Sequence, residues 1–262
     1  MFPERIVRLS GEAADICHRL GAADRVAAVS AFAPGAVRVG RPVVGGFSTL
    51  RMADLLSIKP DLVITFSDVQ AQLAADLIRN HCTVLATNQR SLRGITQAIL
   101  LIGRSIGCAS EAENLAAVFE RRLETLRQAE GPRPRIYFEE WDEPLITGIG
   151  WVSEAIKLAG GEDVFYRPDA KAARDRQVEA SAVCHADPQI IFASWCGKPV
   201  DGQQIARRAG WDAISAVKHG EIHEIASADI LQPGPGVLEG IKQMSTIIER
   251  WRRAADSSSF RR

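Results

Sequence analysis

The chain has 262 residues, 46% of them hydrophobic and 24% charged, and its 32 lysines and arginines cancel its 32 aspartates and glutamates. That balance, at a pI near 7.0, excludes the basic excess of a dedicated nucleic-acid binder, and 21 glycines with 12 prolines exclude a collagenous or low-complexity chain. A length of this order supports one large core or two of about 130 residues. No apolar run approaches the roughly 18 residues that a membrane span needs, so no membrane insertion is expected. The basic runs are short: Arg121-Arg122, Arg207-Arg208 and Arg252-Arg253 each sit in a helical pattern that predicts a solvated face. The opening Met1-Phe2-Pro3-Glu4-Arg5 lacks a charged-then-apolar leader, and the five scattered cysteines form no C-x-x-C pair, so the chain as written is expected in the reducing cytoplasm.

In chain order, 5–9 predicts a short strand, and Ser10-Gly11-Glu12 then opens a helix that runs to Leu20 and stops at Gly21. A second strand covers Val26 to Ser30, followed by a loop from Ala33 to Phe47 punctuated by glycine and proline. A helix from Leu50 ends at Ile58 ahead of Pro60, because the residue before a proline avoids the helical region. The continuous apolar run 61–66 is the pattern of a strand buried in a parallel sheet. A helix over 69–79, a strand over 83–86 and a helix over 92–106 complete a β/α alternation. The longest helical signal lies between Ser110 and Gly131, and Ser110-Glu111-Ala112-Glu113 predicts a capping box of Ser110 and Glu113 at its start.

After Gly131-Pro132-Arg133-Pro134 the pattern starts again with a strand at 135–140, a helix at 151–159 and a strand at 189–194 that follows a helix carrying Cys184-His185. A final helix runs from Val237 to Trp251. Lys59-Pro60-Asp61 before the strand at 61–66 is echoed by Asp187-Pro188-Gln189, and the spacing from each opening strand to its echo is nearly equal. The repeat predicts an α/β chain of two Rossmann-like lobes joined by a single long helix: a first lobe over 1–109, a connecting helix over 110–131 and a second lobe over 132–262. Ligands of open α/β sheets sit beyond the carboxyl ends of strands, which places the expected site in a cleft between the lobes.

Six aromatic residues fall at those predicted strand ends: Phe32, Phe47, Phe66, Trp141, Trp151 and Trp195. Loops of this kind are ordinarily polar, so the cluster predicts a flat ligand. Glu139-Glu140-Trp141-Asp142-Glu143 brings four carboxylates after one strand, but neighbours on a strand point to opposite faces, which argues against paired acid and base. Cys184-His185 and Cys196 are too far apart in the predicted elements for a nucleophile and its base. Gly197 and Pro199 turn the chain after Trp195 and Cys196, and Leu231-Gln-Pro-Gly-Pro-Gly236 forms a second rigid loop, so Gln232, Pro233 and Gly234 are expected beside them on the second lobe.

Arg5-Ile-Val-Arg-Leu-Ser10, Gly21 to Ser30, Ile58-Lys-Pro-Asp-Leu-Val-Ile64, Trp151-Val-Ser-Glu and Ala159-Gly-Gly-Glu-Asp-Val-Phe165 together resemble the substrate-binding proteins of cobalamin and iron-siderophore ABC importers. The likeness covers residues 3 to 251. Phe138-Glu-Glu-Trp-Asp142, Ser194-Trp-Cys-Gly-Lys-Pro199 and Leu231 to Gly236 look like the cobalamin-binding branch. The resemblance implies a monomeric, non-catalytic carrier that needs no cofactor, takes cobalamin or another corrinoid as its small-molecule metal chelate and hands it to an ABC permease. The family is periplasmic. Phe32, Phe47 and Phe66 fall where cobalamin-binding members place aromatic side chains against the corrin ring, and with them Ser10, Glu140, Trp141, Trp151, Trp195, Cys196, Gln232, Pro233 and Gly234 are expected to contact the ligand. The two family docking glutamates fall at Ala53 and Ser181, with Asp54 and Glu179 as stand-ins, and an aromatic of the second lobe falls near Asp175. Alternatives are a siderophore or haem carrier, disfavoured by having only Tyr137 and Tyr166, and a cytosolic corrinoid-handling factor or enzyme using Cys196 or Glu140.

Overall fold

The computed structural model describes residues 2–31, 33, 38–46, 49–127 and 131–259. The chain divides into two compact units, one of Met1–Arg121 with Gln232–Gly236 and the other of Arg122–Leu231 with Val237–Arg262.

In the first unit, β1 (Ile6–Arg8), β2 (Val26–Ser30), β3 (Val43–Gly45), β4 (Leu62–Phe66) and β5 (Val84–Thr87) form a parallel sheet in the order β3-β2-β1-β4-β5. The central strands are covered on both faces, which is why Ile6 to Arg8 and Leu62 to Phe66 are buried without alternation. Helices α1 (Gly11–Arg19), α2 (Met52–Ser57), α3 (Ala71–Arg79) and α4 (Leu92–Ser105) connect the strands. The chain leaves β1 toward β2 and β3, then returns to build β4 and β5 on the other side. Such a reversal opens a crevice outside the carboxyl ends of β1 and β4.

β3 lies inside the stretch expected to be a loop. Three residues are too short to show a period, and Val43-Val44 earns its strand by pairing with the outer edge of β2 just after Pro42, a position where proline disrupts nothing. The long helix is α5 (Ala109–Thr125), 17 residues and about 26 Å long, rather than a helix running to Gly131. Ser110 lies inside it and cannot cap it: the Cys108 carbonyl already accepts the Ala112 N–H at 3.0 Å, and Glu113 pairs with Arg104 of α4 at 3.3 Å. The boundary between the units falls within α5, at Arg121 and Arg122.

The second unit holds β6 (Arg135–Asp142), β7 (Leu145–Thr147), β8 (Glu162–Asp163), β9 (Ile190–Ala193) and β10 (Ile222–Glu224). The order is β10-β9-β6-β7, with β8 also paired to β6. All pairs are parallel except the β6–β7 hairpin, which the sequence pattern does not announce. Around the sheet run α6 (Gly150–Leu158), α7 (Ala180–Ala186), α8 (Gly202–Ala206), α9 (Ser215–Lys218), α10 (Ser227–Ile230) and α11 (Val237–Ser259), the last extending beyond the expected end at Trp251.

Close approach of α4 and α5 depends on Gly103, where a Cβ would stand 2.2 Å from the Ala112 Cβ and 3.0 Å from the Cys108 carbonyl oxygen. Gly103→Val is expected to force the helices apart and cost roughly 1–3 kcal/mol in urea unfolding. An unchanged midpoint would show that the two helices separate without penalty.

Candidate functional site

β6 places Tyr137 and Glu139 on one face, since residues two apart on a strand point the same way. Glu139 is fully buried and is the hub of the second unit. Its Oε1 accepts the Arg208 Nη2–H at 2.9 Å and the Trp195 indole N–H at 3.1 Å, while Oε2 accepts from Arg208 Nη1 and, at 3.2 Å, from the Tyr137 hydroxyl. The Arg208 guanidinium also lies 4.6 Å over the Trp211 ring. Burial, and then the Glu139 charge, push the Tyr137 hydroxyl well above its ordinary pKa, so it stays a donor. Arg208, expected on a solvated face, is therefore an internal counterion, with its side chain only 17% exposed.

The other carboxylates of this segment are matched too. Glu140 takes a two-pronged contact from Arg176, with Nη2 to Oε1 at 2.9 Å, and Arg176 is itself 4% exposed and also donates to the Thr147 carbonyl. Asp142 accepts two bonds from Lys198 Nζ, at 2.6 and 2.8 Å. The same ammonium lies 4.5 Å from the Trp141 ring centre and 4.7 Å from that of Trp195. Lys198 thus clamps the turn after β9 onto the end of β6 through charge and both ring faces. Trp141 remains half-buried, Trp195 is 2% exposed, and Cys196 is exposed at the head of the turn. Burial and then the Glu140 charge push the Cys196 thiol up, which disfavours the thiolate.

Several expected site residues are placed differently. Trp151 is a core residue, 3% exposed, and its indole N–H is spent on the Ile230 carbonyl at 2.8 Å, which ties α6 to α10. Phe66 ends β4 almost fully buried, with the Arg90 guanidinium 5.7 Å from its ring centre. Phe32 and Phe47 lie outside the described residues. Gln232, Pro233 and Gly234 belong to the first unit, not to a wall shared with Trp195 and Cys196. The reason is steric. A Cβ at Gly11 would stand 2.2 Å from Gln232 Oε1, and one at Gly234 would stand 2.9 Å from the Glu12 Cβ, so each glycine admits the other segment. Asp54 is exposed and paired with Arg51 at 2.6 Å, Glu179 is exposed ahead of α7, and exposed Asp175 accepts the Ala172 N–H at 3.0 Å.

At the carboxyl end of β1, Ser10 precedes α1 and is fully buried, and Glu12 in the first turn is 2% exposed. Burial raises the Glu12 carboxyl from 4.5 to about 7, with the Ser10 hydroxyl pulling the other way. Gln89, just past β5, donates from Nε2 to the Pro233 carbonyl at 2.9 Å. The sequence pattern singles out neither Glu12 and Gln89 nor the partnered cations Arg176, Lys198 and Arg208. Only Lys198 carried a signal, by lying in the Trp195 to Pro199 motif.

The periplasmic binding protein family model matches residues 6–228, and the chain belongs to that family. A vitamin B12-binding protein of Vibrio cholerae is 27% identical over 261 residues, covering 95% of this chain and 90% of its relative. Among solved structures, the periplasmic vitamin B12 binding protein BtuF of Vibrio cholerae superposes with a TM-score of 0.76 at 25% identity, over 94% of this chain and 97% of that one. The periplasmic heme-binding protein RhuT from Roseiflexus shares the fold, with a TM-score of 0.81 at 21% identity, over 93% of this chain and 97% of that one. Among the described residues no helix is long and apolar enough to cross a membrane.

Two outcomes follow from the buried charges. Arg208→Met leaves Glu139 uncompensated in the core and is expected to cost about 3–5 kcal/mol in urea unfolding, a loss that a small shift in midpoint would contradict. For Glu12 the folded pKa lies above the unfolded one, so folding favours the protonated form. Its contribution is intact below pH 4.5 and is lost as the pH rises through about 7. Glu12→Gln removes this titration. The variant should be more stable than the parent by on the order of 3 kcal/mol at about pH 8, with the gap changing toward acid as Glu12 takes up its proton. A gap that does not vary with pH would mean that Glu12 is not held neutral by burial.

Proposed function

We propose that the protein binds cobalamin or a closely related corrinoid and delivers it to an ABC permease, without catalysing a reaction on it. The observation that carries this reading is the half-buried Trp141 indole at the carboxyl end of β6, stiffened by Lys198, which also lies over the buried Trp195. A rigid indole presents a large flat area at little entropic cost, which suits a planar macrocycle. The vitamin B12-binding relatives support the ligand class. Catalysis on the ligand finds little support in Glu139, Glu140 and Asp142, because each is matched by a cation, and the raised Cys196 thiol disfavours the thiolate that metal ligation would need. Exposed Asp54 and Glu179 are the proposed docking carboxylates for the permease.

Visible absorbance titration with aquocobalamin, dicyanocobinamide and haemin tests the reading. Saturable binding of the corrins is expected, with haemin at least roughly tenfold weaker, and Trp141→Ala should weaken corrin binding about tenfold. Cys196→Ser should leave the spectrum of bound aquocobalamin unchanged. Saturation by haemin alone would replace the corrinoid by haem as the ligand.

A further inference from the structure

The cations at the strand ends of the two units are held differently. In the second unit Arg176 and Arg208 are locked onto carboxylates that are themselves largely enclosed. In the first unit Arg90, three residues beyond β5, donates from Nη2 to Asp68 Oδ1, and the Asp68 side chain is 55% exposed. Among the described residues this is the one hydrogen bond of the guanidinium, and its other N–H groups are open to water. The first turn of α4, which follows Arg90, carries no acidic residue that could take the place of Asp68. An ion pair with one partner mostly in water contributes little, because the charges keep much of their hydration when apart. Asp68 is therefore exchanged for another anion at small cost, which the enclosed pairs of the second unit do not allow.

The support beneath this weak pair is rigid. Phe66 closes β4 almost fully buried, and the Arg90 guanidinium lies 5.7 Å from its ring centre. Ser67, next in the chain, has φ 63° and ψ 174°, a backbone region that residues other than glycine enter only under constraint. Three hydrogen bonds supply the constraint: the Ser67 N–H donates to the Thr87 carbonyl at 2.8 Å, the Phe66 N–H to Gln70 Oε1 at 2.8 Å, and Gln70 Nε2 to the Leu9 carbonyl at 2.9 Å. The turn is thereby tied to the ends of both flanking strands, and strain of this kind gathers at ligand clamps. It stands at the carboxyl ends of β4 and β5, the end of the sheet that receives ligands in this architecture.

We propose that Arg90 is an anion-recognition residue, which exchanges Asp68 for the phosphodiester in the nucleotide side chain of a complete corrinoid and so favours it over the bare ring. The inference rests on the corrinoid reading above and adds a specificity residue to it. A phosphodiester bears one charge and two free oxygens, which the planar guanidinium fork takes as a pair of charge-assisted hydrogen bonds. Phe66 serves such a site from behind, by steadying the cation, and not as a platform for the ring.

The test titrates three compounds by visible absorbance at low salt: cyanocobalamin, which has the phosphodiester, dicyanocobinamide, which lacks the nucleotide, and haemin, which offers carboxylates. Arg90→Gln should weaken cyanocobalamin by about tenfold and leave dicyanocobinamide within about twofold of the parent. Asp68→Asn should act in the opposite direction and strengthen cyanocobalamin by about two- to fivefold, because the competitor for the guanidinium is gone. A pair that merely braces the turn would give losses in both variants. Thermal melts run alongside report folding, and Asp68→Asn decides the matter if Arg90→Gln does not fold. Equal losses for both corrins, weaker cyanocobalamin binding by Asp68→Asn, or no change in either variant overturns the assignment and leaves the corrinoid reading standing. A loss confined to haemin gives the contact to a carboxylate and overturns it likewise. Failure of both corrins to bind overturns the corrinoid reading itself, and the assignment with it.

Discussion

The second unit depends on a carboxylate buried where none would be stable alone. Glu139 is fully enclosed in the sheet, and removing such a group from water costs several kcal/mol unless charge and hydrogen bonds replace the water. Four contacts do so, from Arg208 twice, Trp195 and Tyr137. Each donor is thereby fixed: Arg208 is drawn in over Trp211, and Trp195 is held by its indole N–H with its ring toward Lys198. An apolar residue at 139 would leave these donors without their acceptor. The carboxylate is the means by which a strand in the sheet orients an aromatic side chain one strand away.

The first unit is organised by topology instead. Its sheet reverses direction between β1 and β4, so two loops diverge at one edge and leave room that another segment can fill. Gln232–Gly236 fills it, crossing from the second unit's sequence to pack where Gly11 and Gly234 remove the side chains that would keep it out. The Gln89 amide then fastens it by the Pro233 carbonyl. The prolines of Leu231-Gln-Pro-Gly-Pro-Gly236 lose little conformational entropy on ordering, which suits a short segment anchored at few points.

Much of this order was legible in the sequence, and the reason is periodicity. Buried parallel strands such as Leu62 to Phe66 and Ile190 to Ala193 are unbroken apolar runs, and the helices between them carry stops such as Gly21 and Pro60 that act locally. What was not legible is what depends on distant partners. β3 is a strand only because β2 offers an edge, and β7 only because β6 turns back on itself. Arg207 and Arg208 are alike in sequence, yet only Arg208 faces a carboxylate 69 positions earlier. Trp141 and Trp151 both fall near a predicted strand end, yet Trp141 bonds the nearby Glu143 carbonyl and stays half-buried while Trp151 bonds the Ile230 carbonyl 79 positions away and is buried. The repeat located two units but could not say that Gln232–Gly236 belongs to the first, since that follows from glycines meeting side chains more than 200 positions away.

The way the second unit treats charge bears on the kind of ligand its strand ends suit. At the ends of β6 and β9, Arg176, Arg208 and Lys198 are each committed to Glu140, Glu139 or Asp142. A ligand carboxylate reaching these three cations would have to displace an internal partner, at a cost close to that of breaking a buried pair for Glu139 and smaller for the more exposed Asp142 contact. What remains for a ligand there is the aromatic surface of Trp141 and the polar edge of the turn, neither of which favours an anion.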